Sequence, residues 1–456
     1  MLGKTKHLHF VGIGGIGMSG IAELLLNLGY KITGSDIRQT EITEHLSKKG
    51  AKIFYQHSAD NVGNPEVVVK SSAVTDDNVE IRYALENKIP VIRRAEMLSE
   101  LMRMKYGIAI AGTHGKTTTT SMTGMVLTQG GLDPTVIVGG KVKNFASNSK
   151  LGNSEYIIVE ADEFDKSFLS LTPIIAGITN IEADHLDCYP NLAEIKNAFI
   201  QYANTVPFFG LIVVCYDNHG IRSIIPKLKK RLITYGTSEQ AEVQAVNIRL
   251  ANFQSDFQVK YKNRILGGIH LNLPGIHNVR NSLLAIIIGL ELEIPFDKIA
   301  LGLQKFTGVY RRFEKKGEVN GILVFDDYAH HPTEIIASLQ GIKESTNRRI
   351  VAVFQPHLYT RTRDFYEDFG KSLLLSDILI VTDIYPAREK PIKNISGKLV
   401  ADAACKNGHK FVYYIQDKDD VPQELMKLTK SGDIVITLGA GDIFKYGEKF
   451  IELNNG

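Results

Sequence analysis

Two glycine-rich loops, each set between an apolar run and a helical pattern, constrain this chain more than any other feature. HFVGIGGIGMSG (His9 to Gly20) spaces Gly12, Gly14 and Gly17 as G-x-G-x-x-G, and AGTHGKTTTT (Ala111 to Thr120) sets Gly112, Gly115, Lys116 and Thr117 into a second loop. A strand that feeds a helix through glycine leaves backbone amides free at the positive end of the helix dipole. That is an anion site, and it belongs to sheets whose parallel strands are joined by helical crossovers.

The rest of the chain fits that architecture. Short apolar, β-rich runs alternate with helical patterns almost throughout, which predicts parallel sheets covered by helices. At 456 residues the chain is too long for one ordinary core. The strand candidates fall into three groups, with boundaries near Lys105 and Arg312. We therefore expect an α/β protein of three domains: a Rossmann-like domain at 1–104, a central P-loop mononucleotide-binding sheet at 105–312, and a second Rossmann-like domain at 313–456. The stretch EVQAVNIRLANFQSDFQVKYKNRILGGIHLNL alternates apolar and polar residues, which predicts antiparallel strands at an edge of the central sheet.

Charge and cysteine content exclude several classes. A net charge of +3, from 53 basic and 50 acidic side chains, gives no general drive toward nucleic acid or anionic membrane. Cys188, Cys215 and Cys405 are widely spaced and form no C-x-x-C pair, so neither a disulfide framework nor a cysteine metal site is expected. The apolar runs fall short of the ~20 residues a membrane span needs, and no signal peptide is read at the start. A cytoplasmic protein is expected.

Asp36 follows Gly17 by nineteen residues, at the end of the next strand, as in dinucleotide folds. The glycines let amides approach a diphosphate, but a diphosphate attached to a sugar presents the same chemistry as one in NAD, and a glycine turn can also merely pack strand on helix. The second loop departs from G-x-x-x-x-G-K-[ST], since Ile110 stands five before Gly115. The shorter form still supplies an amide cradle, a lysine for phosphate oxygens and a hydroxyl for magnesium, which together predict ATP. Glu160 ends the strand YIIVE and His185 follows the next one, where open α/β sheets bind ligands. A lone histidine is more often a packing residue. Here its place beside Glu160 and Thr117 suggests a set of ligands for a hard cation among phosphates, for which oxygen ligands and a few waters suffice.

With these pieces in view, the sequence resembles the Mur ligase family across essentially its full length. The matching pieces are GIGGIGMSG, GTHGKTTTT, VEADEFDKSF, ADHLDCY, GIHNVRNSLLA, GVYRRFE, DDYAHHPTE and QPHLYTRTRDF, in order. The resemblance implies that the first domain takes a UDP-sugar, the second ATP, and the third an amino acid. It implies ligation of L-alanine to the lactyl carboxylate of UDP-N-acetylmuramate through an acyl phosphate, with ATP and Mg2+, by a monomer or homodimer. Lys116 would then contact the β and γ phosphates within the loop Gly112, Thr113, His114, Gly115, Thr117 and Thr118. Thr117 and Glu160 would hold one magnesium and His185 would help hold another. Asn278 and Asn281 would meet adenine, although a helix cap and a polar helix face explain them as well, and Arg312 and Asp326 would reach ATP across a closing interface. The UDP-sugar would lie on Gly14, Gly15, Ile16 and Gly17, with Ser35, Asp36, Ser71, Ser72 and Arg94 as further polar contacts.

In the third domain the resemblance points to Tyr328, His330, His331 and Arg361. An arginine fork suits a free carboxylate, and either histidine is a candidate base for the alanine amine. Family members often carry arginine where this chain has Leu358, so the carboxylate clamp is expected to be rearranged. Relatives that extend the peptide later carry a carbamate-forming lysine about fourteen or fifteen residues after the metal histidine; here those places hold Phe199 and Ile200. That difference and the missing D-N-P-[RK] motif favour alanine. A nicotinamide dehydrogenase would leave Lys116, Glu160 and His185 without a task, and a nucleotide switch would not need the third domain.

Overall fold

The uninterrupted apolar runs become strands buried on both faces. The computed structural model describes residues 3–145, 147–183, 188–387 and 389–455, and among these three sheets carry the architecture. The first holds β1 (His7–Val11), β2 (Lys31–Ser35), β3 (Lys52–Phe54), β4 (Val67–Lys70) and β5 (Val91–Arg93), all parallel, in the order β3-β2-β1-β4-β5. β1 lies at the centre. Its C-terminal end delivers the first glycine loop, which leads into the helix Ile16–Asn27.

The second sheet has ten strands: β6 (Tyr106–Ala111), β7 (Thr135–Val142), β8 (Ser147–Lys150), β9 (Tyr156–Glu160), β10 (Ile175–Ile178), β11 (Leu211–Cys215), β12 (Leu232–Gly236), β13 (Val243–Ala251), β14 (Gln254–Tyr261) and β15 (Arg264–Leu271). Their order is β15-β14-β13-β12-β11-β10-β6-β9-β7-β8. β6 pairs in parallel with both β9 and β10, so the second loop emerges between the strand ends that carry Glu160 and Asn180. The alternating stretch forms the expected edge. Its two-residue connections, Asn252–Phe253 and Lys262–Asn263, all have positive φ, as tight hairpin turns between antiparallel strands require. The opposite edge closes on the antiparallel pair β7 and β8, and β8 (SNSK) has no apolar signal to announce it.

The helix after the second loop, Lys116–Gln129, has an unusual core face made of hydroxyls. Thr119, Thr120, Ser121 and Thr123 are fully buried. Each of Thr120, Ser121 and Thr123 donates to the carbonyl four residues earlier, at 2.7–2.8 Å, so these three are satisfied within their own helix, whereas the buried Thr119 hydroxyl has no hydrogen-bond partner among the described residues.

The third sheet holds β16 (Glu314–Val319), β17 (Ile322–Asp327), β18 (Ile350–Phe354), β19 (Ile378–Thr382), β20 (Val412–Ile415) and β21 (Ile434–Leu438), ordered β16-β17-β21-β18-β19-β20. Only β16 pairs antiparallel. Successive residues feed opposite cores: Phe325, Ala352, Phe354, Leu379 and Ile436 pack on one face, Val324, Val351, Val353, Ile380 and Val435 on the other. This is the period of two expected of a strand covered on both sides.

The chain divides into two compact units. One comprises residues 1–247, 257–269 and 280–306; the other comprises 248–256, 270–279 and 307–456. Within the first, the helix Ile16–Asn27 is tied to β8. The Asn148 amide donates to the Ile16 carbonyl and, at 3.2 Å, meets Ser19 Oγ, while the Ser147 and Ser149 hydroxyls donate to Glu23 at 3.2 and 3.3 Å. Burial works against the Glu23 charge. Lys49 at 2.8 Å and His45 at 3.1 Å outweigh it and lower its pKa.

Candidate active site

In the first unit the second loop is closed by its own sequence. Gly115 sits at φ +82°, a conformation that favours glycine, and a Cβ there would come within 2.7 Å of Asn281 Oδ1. Asn281 is therefore brought against the loop from the helix Ile276–Glu291. The loop backbone is fixed by the neighbouring strand: the His114 amide donates to Asn180 Oδ1 at 2.7 Å, the His114 carbonyl accepts from Thr179 Oγ1 and Asn180 Nδ2, and Thr113 Oγ1 accepts from the Glu182 amide at 2.9 Å. Asn180 and Glu182 were not singled out from the sequence. Their signal was their place in NIEADH, just past the end of β10.

Lys116 opens the helix, and its Nζ lies 2.7 Å from the Gly112 carbonyl, 3.2 Å from that of Thr113, and 2.8 and 3.0 Å from the two oxygens of Glu163. Burial disfavours the ammonium, but Glu163, Asp162 and Glu160 together outweigh it and raise its pKa above the usual lysine value. Thr117 Oγ1 donates to Glu160 Oε1 at 3.0 Å, and the other Glu160 oxygen accepts from the Gly139 amide at 2.7 Å. A hydroxyl and a carboxylate in contact at the mouth of a phosphate-type loop form the hard-oxygen donor set that magnesium takes, so these residues fit that ion. Thr118 lies half-buried on the first turn. His185 lies outside the described residues. Phe199 is in the core, fully buried, with its ring edge against Phe168 at 5.1 Å.

The first loop has a different character. Gly12, at φ +81°, leaves no room for a side chain against Ser71, whose Cβ would be 3.0 Å away. The Gly14 amide donates to Asp36 Oδ2 at 2.9 Å, so this carboxylate closes the loop from the end of β2. Gly15, Ile16 and Ser72 are exposed, and Gly17 carries the Arg94 side chain close against it. Arg94 also lies 3.8 Å from Asp162, beside Glu163. Ser35 is fully buried. Its hydroxyl donates to Glu80 and sits 3.1 Å from His57 Nδ1. Glu80, itself fully buried, is the centre of that network. Burial would raise its pKa, yet hydrogen bonds from His9, Ser35 and Asn61 bring it down to about 2. Ser35 thus supports the loop from beneath.

In the second unit, β17 ends in Asp326 and Asp327, both inward. Asp326 accepts from Thr437 Oγ1 at 2.7 Å and pairs with Arg311 at 3.1 Å. Arg312 instead pairs with Glu334 at 3.2 Å and stands 5.3 Å over the Tyr328 ring. Glu334 is the organiser. It also accepts from the amides of His330 and His331, at 3.0 and 3.3 Å, and stands 3.2 Å from His330 Nδ1, completing a capping box at the start of the helix Pro332–Ser345. Its signal was HPTE, an acid three residues after the cap. Asn278 is buried, and its amide donates to the Pro274 carbonyl at 2.8 Å.

Burial, only partly offset by Glu334, lowers the pKa of His330 to about 3, so its ring is neutral. His331 Nδ1 accepts from the Thr333 amide at 3.4 Å and its ring meets Phe365 edge-on. His357, which sequence reasoning passed over, stacks on Tyr385 at 5.8 Å and meets His330 at 6.0 Å. Its buried Nδ1 has no hydrogen-bond partner among the described residues, and burial followed by the Arg361 charge lowers its pKa to about 4. Arg361 lies in the first turn of the helix Tyr359–Ser372, whose N-cap is Leu358. Leu358 adopts φ +70°, held by its amide on the Tyr385 carbonyl at 3.0 Å and by Thr362 on its own carbonyl.

Three family models match the chain: the Mur ligase family catalytic domain over residues 7–106, the Mur ligase middle domain over 110–289, and the Mur ligase glutamate ligase domain over 311–441. The chain is 54% identical to the UDP-N-acetylmuramate–L-alanine ligase of Geotalea uraniireducens over the whole of both chains, and 52% identical to that of Salinibacter ruber over 99% of this chain and 96% of the other. Among solved structures, UDP-N-acetylmuramate-alanine ligase of Thermotoga maritima matches with a TM-score of 0.84 at 32% identity over 99% of each chain. A murein peptide ligase of Psychrobacter arcticus matches with 0.71 at 26% over 98% of each.

Proposed function

The chain belongs to the Mur ligase family, and from that premise we infer that it is an ATP-dependent ligase joining L-alanine to the lactyl carboxylate of UDP-N-acetylmuramate, a step in peptidoglycan precursor synthesis. The observation that carries this reading is the full-length identity to alanine ligases, together with Lys116, Thr117 and Glu160 gathered at one loop.

A carboxylate does not react with an amine at a useful rate, because its oxygen is a poor leaving group. Transfer of the γ-phosphoryl group of ATP to the lactyl carboxylate gives an acyl phosphate and ADP; the neutral alanine amine then attacks the acyl carbon and expels phosphate. Lys116, held in its charged form, and the amides of Gly115 to Thr118 would bind the phosphates and stabilise the charge moved during transfer, while the Thr113 and His114 amides hold the loop to Asn180. Magnesium bound at Thr117 and Glu160, with His185 at a second ion, would neutralise phosphate charge. Asn278 and Asn281 would face adenine. Arg312, at the end of the second domain, and Asp326 in the third, tied to Arg311, would serve the nucleotide across the closing interface.

The first loop would take the UDP-sugar diphosphate along Gly15, Ile16 and Gly17, with Gly14 and Asp36 shaping the turn and Ser71, Ser72 and Arg94 beside it. Its glycines serve a nucleotide sugar without nicotinamide. Arg361 would take the alanine carboxylate by its two-pronged fork, with Tyr328 and the paired histidines around the amine. His330 is neutral and can accept a proton, although its depressed pKa makes it a weak base; His331 spends its Nδ1 lone pair on the helix cap.

We place the domain limits at 1–104, 105–312 and 313–456. A cytoplasmic monomer or homodimer suits this chemistry, and among the described residues no helix is long and apolar enough to cross a membrane. Phosphate release measured over a panel of amino acids, with and without UDP-N-acetylmuramate, tests the reading. Release should require both the sugar nucleotide and alanine; formation of AMP and pyrophosphate would overturn it.

A further inference from the structure

An ammonium has three protons, and four oxygens surround that of Lys116: the Gly112 and Thr113 carbonyls and both oxygens of Glu163. Only Glu163 carries charge. It is 2% exposed, so its pairing with Lys116 is little screened by water. Its backbone is held in place: the Glu163 carbonyl accepts from the Lys166 amide at 3.1 Å and from the hydroxyl of Tyr189 at 2.7 Å, and Tyr189 is 1% exposed. Lys166 turns the chain there at φ +61°. A flexible lysine stem thus meets an anchored carboxylate. Glu160 is not equivalent, because its two oxygens already serve Thr117 and Gly139.

We propose that Glu163 is a positioning residue that competes with the nucleotide's phosphates for Lys116, so that ATP gains this lysine only by exchange against a buried carboxylate. The inference rests on assigning the loop to ATP. The exchange sets a ceiling on affinity for any phosphate-bearing ligand and leaves a phosphate-free ligand untouched. It also keeps the lysine charged and aimed along the loop before the triphosphate arrives.

The test is equilibrium binding of ATP and of adenosine to the full-length chain carrying Glu163→Gln, Lys116→Met, or both. Glu163→Gln should tighten ATP binding about tenfold, or about 1.4 kcal/mol, leave adenosine unchanged, and lower the KM for ATP without moving that for the sugar nucleotide. In the Lys116→Met background the tightening should vanish. Its persistence there would mean that the acidic cluster acts only through its general field, and would overturn the proposal, as would unchanged or weakened ATP binding in Glu163→Gln alone. Tyr189→Phe supplies an independent variant if Glu163→Gln does not fold: freeing the Glu163 carbonyl should give a smaller tightening that also disappears without Lys116, and no shift there would overturn the proposal too. If the unaltered protein binds ATP no better than adenosine, the assignment of the loop fails instead.

Discussion

At the scale of single side chains, the proposed chemistry rests first on Lys116. Lys116→Ala should abolish product while UDP-sugar binding, followed by calorimetric titration, stays close to that of the parent; equal loss of both would show that the two loops do not divide the work. Gly115→Ala meets both a φ of +82° and the Asn281 side chain, so ATP affinity should fall by at least about tenfold with the fold retained by circular dichroism. Arg361→Ala should chiefly raise the KM for alanine. The acidity of His357 has a sign that can be checked. Its folded pKa, about 4, lies below the unfolded value near 6.5, so the unfolded chain binds the extra proton and stability is lost as pH falls through that window. Asp327, raised by burial to about 6, acts in the opposite sense: its contribution is lost as pH rises from about 4 to 6. His357→Phe should therefore reduce the acid loss between pH 6.5 and 4 by on the order of 3 kcal/mol, read from denaturant unfolding at a series of pH values. At this scale sequence reasoning pointed to Lys116, Thr117 and Glu160, which the structure gathers at one loop, but not to Glu163 or Glu334. Carboxylates that hold other site groups carry no motif of their own, and Ser35 looks the same in a sequence whether it faces a ligand or a buried glutamate.

Elements were legible where one periodicity ruled them. The strands of the third sheet announce themselves as apolar runs, and both hairpin turns sit where alternation breaks at Asn252 and Asn263. β8 was not legible, because SNSK carries polar side chains that it spends on the helix Ile16–Asn27 and Glu23. The helix Lys116–Gln129 buries Met122, Val126 and Leu127 together with a run of hydroxyls, of which Thr120, Ser121 and Thr123 bond back to carbonyls of their own helix, a pattern that periodicity does not detect. The capping box of Glu334 also orients His330 and Arg312. Glu334→Gln, which keeps the cap but not the charge, should cost only about 1 kcal/mol of stability yet depress alanine turnover more than UDP-sugar affinity, as steady-state kinetics would show.

For the molecule as a whole, the glycine loops and strand groups were enough to predict three α/β sheets, and three are present among the described residues. Which strands join which compact unit was beyond sequence: Phe253, at a hairpin tip of the second sheet, packs 5.1 Å from Phe325 in the second unit, and nothing in the local pattern marks that partnership. ATP at a hundredfold excess over its Kd should stabilise the protein by about 2.7 kcal/mol, visible as a raised melting transition that Lys116→Met largely abolishes. Position 199 carries a consequence of its own. A phenyl ring sealed among Phe168 and its neighbours has no amine to capture dissolved carbon dioxide, so turnover in buffers scrubbed of bicarbonate should match that in air.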